Sequence, residues 1–367
     1  MSDWKAFQDF QGGEAASRNP HDGPPRAGSF GDGASEYEAL RDGPALVDRS
    51  YRGLLEVTGA DRAGWLHNLT TNEVKNLGAG EGNYAFATNL QGRILFDLNI
   101  LIRKDAIWID LDRRFLERAK AHFDKYTIME DVQMVDRSED FVRLGLVGRS
   151  ALGVLEQLGA PQTGAMPTLG IAAVTLQGTE VPILRHDFCG LFGVELFVPA
   201  EQAIQLWREW VDPTGTLHAI PVGDDAVQVH RIEAGLPWPD CEIGDEVLPA
   251  ETAQLERAVS FQKGCYLGQE VVERMRSRGA LARCLCGLRM EGDTLPPPGA
   301  ALIGKEGQHV GRLTSICRSM ALSCVIGMGY VKAASGEEGT PLQVQRPDGQ
   351  PIDAVVVPLP FTNPSDG

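Results

Sequence analysis

The chain is poor in positive charge: 34 Lys and Arg stand against 50 Asp and Glu, a net −16. That balance argues against a nucleic-acid surface as the main partner. No run of about 18 apolar residues occurs, which excludes a spanning helix. The opening Met1-Ser2-Asp3-Trp4-Lys5 lacks the apolar core of a signal peptide. The seven cysteines are odd in number and follow no disulfide framework, which fits a reducing cytoplasm. No Cys-x-x-Cys or nearby His completes a zinc site, and no convincing set of four thiolates suggests a cluster held within one chain. A Rossmann glycine loop and solenoid repeats are also missing. Aromatic residues make up only 7%.

What remains is 43% hydrophobic sequence over 367 residues, enough for two or three soluble domains. Residues 1–35 read as a disordered N-terminal arm, because 12–35 are rich in Gly, Pro, Asp and Ser and include Gly23-Pro24-Pro25. Residues 363–367 read as a frayed end. The ordered body begins near Ala45. Strands are expected at Leu54–Gly59, closing at the glycine, and at Tyr84–Thr88, Ile94–Ile102, Ile107–Leu111, Phe141–Val147 and Gly193–Val198. Helices are expected at Asp61–Leu69, Arg114–Tyr126, Ala151–Leu158 and Glu201–Trp210. This alternation predicts an α+β body over 36–282. After Gly279, short strands and frequent turns predict a separate C-terminal β-barrel over 283–360.

The most specific stretch is Lys263-Gly264-Cys265-Tyr266-Leu267-Gly268-Gln269-Glu270. Gly264 and Gly268 permit backbone conformations and approaches that a Cβ would block. A thiol just ahead of a helix and near Lys263 leans toward thiolate. A buried, inert thiol in a tight connection is the alternative. This string resembles the signature of the YgfZ family, folate-binding proteins of iron–sulfur enzyme maturation.

A second resemblance spans about residues 45–345. Asn83-Tyr84 with Asn89-Leu90-Gln91-Gly92-Arg93-Ile94-Leu95-Phe96-Asp97-Leu98 is similar to the strand-turn-strand of glycine-cleavage T-proteins. Gly193-Val194-Glu195 and Arg231-Ile232-Glu233-Ala234-Gly235 resemble two further T-protein segments. The resemblance implies a T-protein-like multidomain fold around a central cavity, with tetrahydrofolate or a derivative as cofactor. Glu195 becomes the candidate pterin contact, since a carboxylate suits the donor–acceptor edge of that ring. Arg231 is a candidate for positioning the folate, or for pairing with a nearby acid. Tyr84 is a candidate stacking face or a core tyrosine. Cys265, Asp97 and Lys263 are the candidate catalytic residues. T-proteins usually carry two aspartates where this chain has Phe96-Asp97, and Cys265 has no counterpart there. Both departures count against aminomethyl transfer.

The implied role is support of iron–sulfur cluster assembly or repair, with assembly proteins or client enzymes as partners. Cys265 would relay a redox event, hold a transient cluster or accept a carbon unit. A folate-dependent one-carbon transferase using Asp97 is the alternative, and a folate sensor or scaffold is the third reading. Lys263, Arg274, Arg276, Arg278 and Arg283 form a local basic excess, read either as a site for a folate glutamate tail or acidic partner, or as a solvated face. On that helix Glu270 and Arg274 are spaced to pair. Cys284 and Cys286 share a strand face with Leu288 and Met290 and read as core. Cys317 and Cys324 read as isolated, and His186, His218 and His230 as surface or turn residues.

Overall fold

The computed structural model describes residues 2–19, 26–215, 217–239, 241–278 and 281–362. Two compact units emerge: 1–85 with 98–227, and 86–97 with 228–367.

The first unit is organised by a six-stranded sheet in the order Ile171–Leu176, Thr179–Arg185, Gly193–Pro199, Phe141–Val147, Ala45–Asp48, Ile220–Val222. Neighbours run antiparallel, except that the last strand lies parallel to Ala45–Asp48. Strand pleating explains the core. Val142, Leu144 and Leu146 share one face with Val194, Leu196 and Val198, and pack on Trp207, Trp210, Trp4 and Phe7. Arg143 and Glu195 fall on alternate positions of the same two strands. A five-stranded sheet follows the order Gly82–Thr88, Ile94–Ile102, Ile107–Asp112, Arg52–Thr58, Gln133–Asp136.

The N-terminal segment corrects the expectation of a disordered arm over 1–35. Asp3–Glu14 is a helix with Trp4, Phe7 and Gln11 buried. Ser17–Asn19 pairs with Arg26–Ser29, and Gly33–Arg41 is a helix capped by the Asp32 side chain. The physical reason is the i,i+3 spacing of Trp4 and Phe7, which gives a short polar segment an apolar stripe to bury. Gly23-Pro24-Pro25 and residues 363–367 lie outside the described residues.

The second unit contains a closed six-stranded barrel, ordered Arg283–Met290, Cys324–Lys332, His309–Ser319, Ala301–Ile303, Pro341–Val344, Ile352–Val357. Closure gives every strand a neighbour on both sides over at least part of its length. Leu288, Leu302, Leu313, Val325, Val331 and Val344 fill the interior at full burial. The segment 228–282 groups with this barrel rather than with the expected 36–282 body, and polar contacts account for it. Arg231 Nη2 donates to Ser315 Oγ at 2.6 Å, and Ser319 Oγ donates to Glu233 Oε1 at 2.5 Å. Tyr330 Oη donates to the Glu242 carbonyl at 2.8 Å.

Candidate functional site

In the second unit, the Lys263–Gly268 loop is clamped to the turn at 88–92. Thr88 Oγ1 donates to the Leu267 carbonyl at 2.6 Å. Gly268 sits at φ +84°, and a Cβ there would lie 2.4 Å from the Asn89 carbonyl. Only glycine meets both conditions. The turn is itself braced: Asn89 Oδ1 accepts from the Gln91 and Arg93 amides at 2.9 and 3.0 Å. The Ile94 amide donates to the Val247 carbonyl at 2.9 Å. The helix Gln269–Arg278 begins directly after Gly268.

This clamp presents Cys265 outward. It is exposed, whereas the other six cysteines are buried or half-buried. Lys263 is 8% exposed, with its Nζ 5.3 Å from the Tyr266 ring centre. Tyr266 is 7% exposed. Its hydroxyl is buried with no hydrogen-bond partner among the described residues, and burial pushes its pKa above the ordinary range. Asp97 is buried on Ile94–Ile102, next to the fully buried Phe96.

Glu195 lies in the first unit, inside a buried charge cluster. Its carboxylate takes Arg143 Nη2 on one oxygen, and His186 Nδ1 at 2.5 Å on the other. Arg49 Nη2 stands 3.6 Å away. Arg143 bridges to Asp110, which also accepts from Arg52 Nε at 3.0 Å and from Asn99 Nδ2 at 2.7 Å. Desolvation opposes ionisation of both acids, yet the guanidinium groups outweigh it and hold both carboxyls well below the usual range. Burial lowers His186, so its ring favours the neutral form despite the carboxylate. Tyr84 is buried, and its carbonyl accepts from Asn72 Nδ2 at 2.8 Å.

Sequence reasoning missed Arg143, Asp110, Arg52 and Arg49, and read His186 as an ordinary surface or turn residue, giving it no charged partner. The signal was present. Arg143 and Glu195 are single charges inside otherwise apolar strands, and Asp110 lies between Ile109 and Leu111; a charge there requires a buried partner.

Arg231 belongs to a second buried cluster, in the second unit. Its Nη1 lies 3.1 Å from Glu242 Oε2, and its Nε donates to Gln228 at 2.6 Å. Glu242 Oε1 also accepts from Thr314 and Ser315 at 2.7 and 2.5 Å. Consecutive strand residues normally point to opposite faces. Here the register shifts between Leu313 and Ser315, and the bulge turns both hydroxyls to one acid. Arg231 thus pairs with an acid, Glu242, and borders a cavity of about 500 Å³.

The basic strip is largely engaged. Arg276 pairs with Glu273 at 3.2 Å and stacks over Phe261 at 4.3 Å. Arg283 pairs with Glu251 at 3.2 Å, and Arg274 is exposed. Among the described residues of this helix, the ion pair joins Glu273 and Arg276 rather than the anticipated Glu270 and Arg274. The Arg278 side chain lies outside the described residues.

Comparison with known proteins accounts for this architecture. Residues 2–263 match the family model described as GCVT N-terminal domain. Residues 283–363 match that of the Glycine cleavage T-protein C-terminal barrel domain. The chain belongs to the glycine cleavage T-protein family. An aminomethyltransferase of Rubrobacter xylanophilus is 30% identical over 332 residues, covering 89% of this chain and 85% of the relative. A putative chloroplastic transferase of Arabidopsis thaliana is 26% identical over 334 residues, covering 91% and 74%. The crystal structure of aminomethyltransferase T of the Bartonella henselae glycine cleavage system superposes with a TM-score of 0.87, at 23% identity and 96% coverage of both chains. That likeness establishes the shared fold. Among the described residues, no helix is long and apolar enough to cross a membrane.

Proposed function

We propose that this T-protein-family chain binds tetrahydrofolate or a derivative and supports assembly or repair of iron–sulfur clusters in client enzymes, through the thiol of Cys265. One observation carries the reading: the clamped Lys263–Gly268 loop exposes Cys265 while the other cysteines are withdrawn. A fixed, exposed thiol suits exchange with a partner. The Phe96-Asp97 pair, in place of two aspartates, weighs on the same side.

The residues fit a folate. Glu195 stays ionised, and its two oxygens retain acceptor capacity beyond the Arg143 and His186 bonds. The carboxylate itself is closed to solvent, and the His186 side chain is 16% exposed. Folate binding of this kind requires a pterin edge to take the place of the His186 imidazole at Glu195. Tyr84, Arg231 and Lys263 are retained as candidate folate or thiol neighbours.

The second reading is a folate-dependent one-carbon transferase with Asp97 acting on the substrate. The names of the relatives favour it. Deletion of the gene, followed by assays of several iron–sulfur enzymes and of aminomethyl transfer, tests the proposal. Loss of iron–sulfur activity with intact aminomethyl transfer supports it; the reverse pattern overturns it.

A further inference from the structure

Cys284 and Cys286 stand two residues apart on Arg283–Met290, so the pleat directs both side chains to one face. Their sulfur atoms lie 3.4 Å apart. Cys284 is half-buried and Cys286 buried, so one thiol is reachable and the other stands behind it. Gly336 walls the pair: a Cβ there would lie 2.6 Å from Cys284 Sγ and 3.4 Å from Cys286 Sγ. The strand pairs with Cys324–Lys332 along its length, but with Ile352–Val357 only from Gly287 onward. The backbone at the two cysteines is therefore laddered on one side, which leaves it room to pucker. Two strand residues rise about 6.5 Å, within the upper end of the Cα separation a disulfide spans, about 4.4–6.8 Å. Sharing of a proton between the sulfurs draws Cys284 down to about 7 and pushes Cys286 up.

We propose that Cys284 and Cys286 form a reversible dithiol–disulfide site that takes a low-molecular-weight disulfide as its oxidant. The Cys284 thiolate attacks one sulfur of the small disulfide. That S–S bond breaks, and the first small thiolate leaves and takes up a proton. Cys286 then loses its proton to solvent and attacks Cys284 Sγ. The Cys284–Cys286 bond forms as the mixed disulfide breaks, and the second small thiol departs protonated. Two protein thiols are oxidised, and one small disulfide is reduced to two thiols. The buried Cys286 acts as the resolving thiol, which spares Cys284 from irreversible oxidation.

The test incubates the full-length protein with oxidised glutathione, quenches by alkylation and maps tryptic peptides by mass spectrometry. Both cysteines fall in the single tryptic peptide 284–289. In the wild type this peptide is expected two hydrogens lighter and protected from alkylation, with glutathione retained only elsewhere, as at exposed Cys265. Cys286→Ser is expected to trap glutathione on Cys284, and Cys284→Ser to leave Cys286 reduced. Wild-type protein that accumulates glutathione on Cys284 overturns the proposal. So does a peptide that stays fully reduced while Cys265 is modified. If a variant fails to fold by circular dichroism, the wild-type peptide still decides.

Discussion

At the scale of single residues, several charges sit where water is absent. Arg143 joins Asp110 to Glu195, and both acids are at zero exposure. Removal of one partner from such a cluster leaves an uncompensated buried charge and costs about 3–5 kcal/mol. Arg143→Ala is therefore expected to lower the urea unfolding midpoint sharply; a midpoint equal to the wild type would contradict the cluster's role. Glu195→Ala makes a separate prediction. Loss of one charge-assisted hydrogen bond, about 1.5–3 kcal/mol, weakens tetrahydrofolate binding roughly tenfold or more. Calorimetric titration with unchanged affinity would remove Glu195 from the folate site. The sequence pointed to Glu195 through resemblance, and to Arg231 with a nearby acid as one alternative. It did not reveal Arg143, whose partners Asp110 and Glu195 are distant in sequence, or His186, which meets Glu195 only because two neighbouring strands pair.

At the scale of elements, local chemistry explains what was legible. Phe141–Val147 and Ile94–Ile102 have the predicted bounds because long apolar runs between turn residues specify strands. The closed barrel was legible as a whole, from the short strands and frequent turns after Gly279. Ile171–Leu176 and Thr179–Arg185 were not assigned. Their tight turn uses Gln177 and Gly178, both at positive φ, where an Asn-Gly pair would have announced a hairpin. The N-terminal helix was hidden by the Gly- and Pro-rich composition that follows it. The clamp on the Cys265 loop gives this scale its prediction. Gly268→Ala combines a left-handed φ with backbone overlap, and is expected to cost about 1–3 kcal/mol. Limited proteolysis should then cut within 264–278 sooner than in the wild type. Equal stability and equal proteolysis would show that the loop adjusts without cost.

At the scale of the molecule, the buried groups set a common response to acid. Asp110 and Glu195 have depressed folded values, so their stabilising contribution is complete above the unfolded carboxylate value of about 4. It is lost as pH falls through the folded values. His122 is lowered to about 4, and His186 is also lowered, chiefly by burial. The unfolded chain takes up these protons from about pH 6.5 downward, before the folded chain does. Stability falls over that window too, so both effects carry the same sign. Urea midpoints measured from about pH 7 to about pH 4 should decline steadily. A midpoint that holds or rises over this range would contradict the burial of His122 and His186, whereas Asp110 and Glu195 make their contribution felt only below about pH 4.

The central claim is that the exposed thiol, and not the buried carboxylate, carries the function. Complementation of a deletion strain tests it most directly, with iron–sulfur enzyme activity as the readout at matched protein levels. Cys265→Ala is expected to fold and bind tetrahydrofolate nearly as the wild type does, because a small residue at an exposed loop position disturbs little packing. It should nevertheless abolish rescue, while Asp97→Asn has the milder effect. Full rescue by Cys265→Ala, together with loss of rescue by Asp97→Asn, would contradict the account and assign the chemistry to the carboxylate.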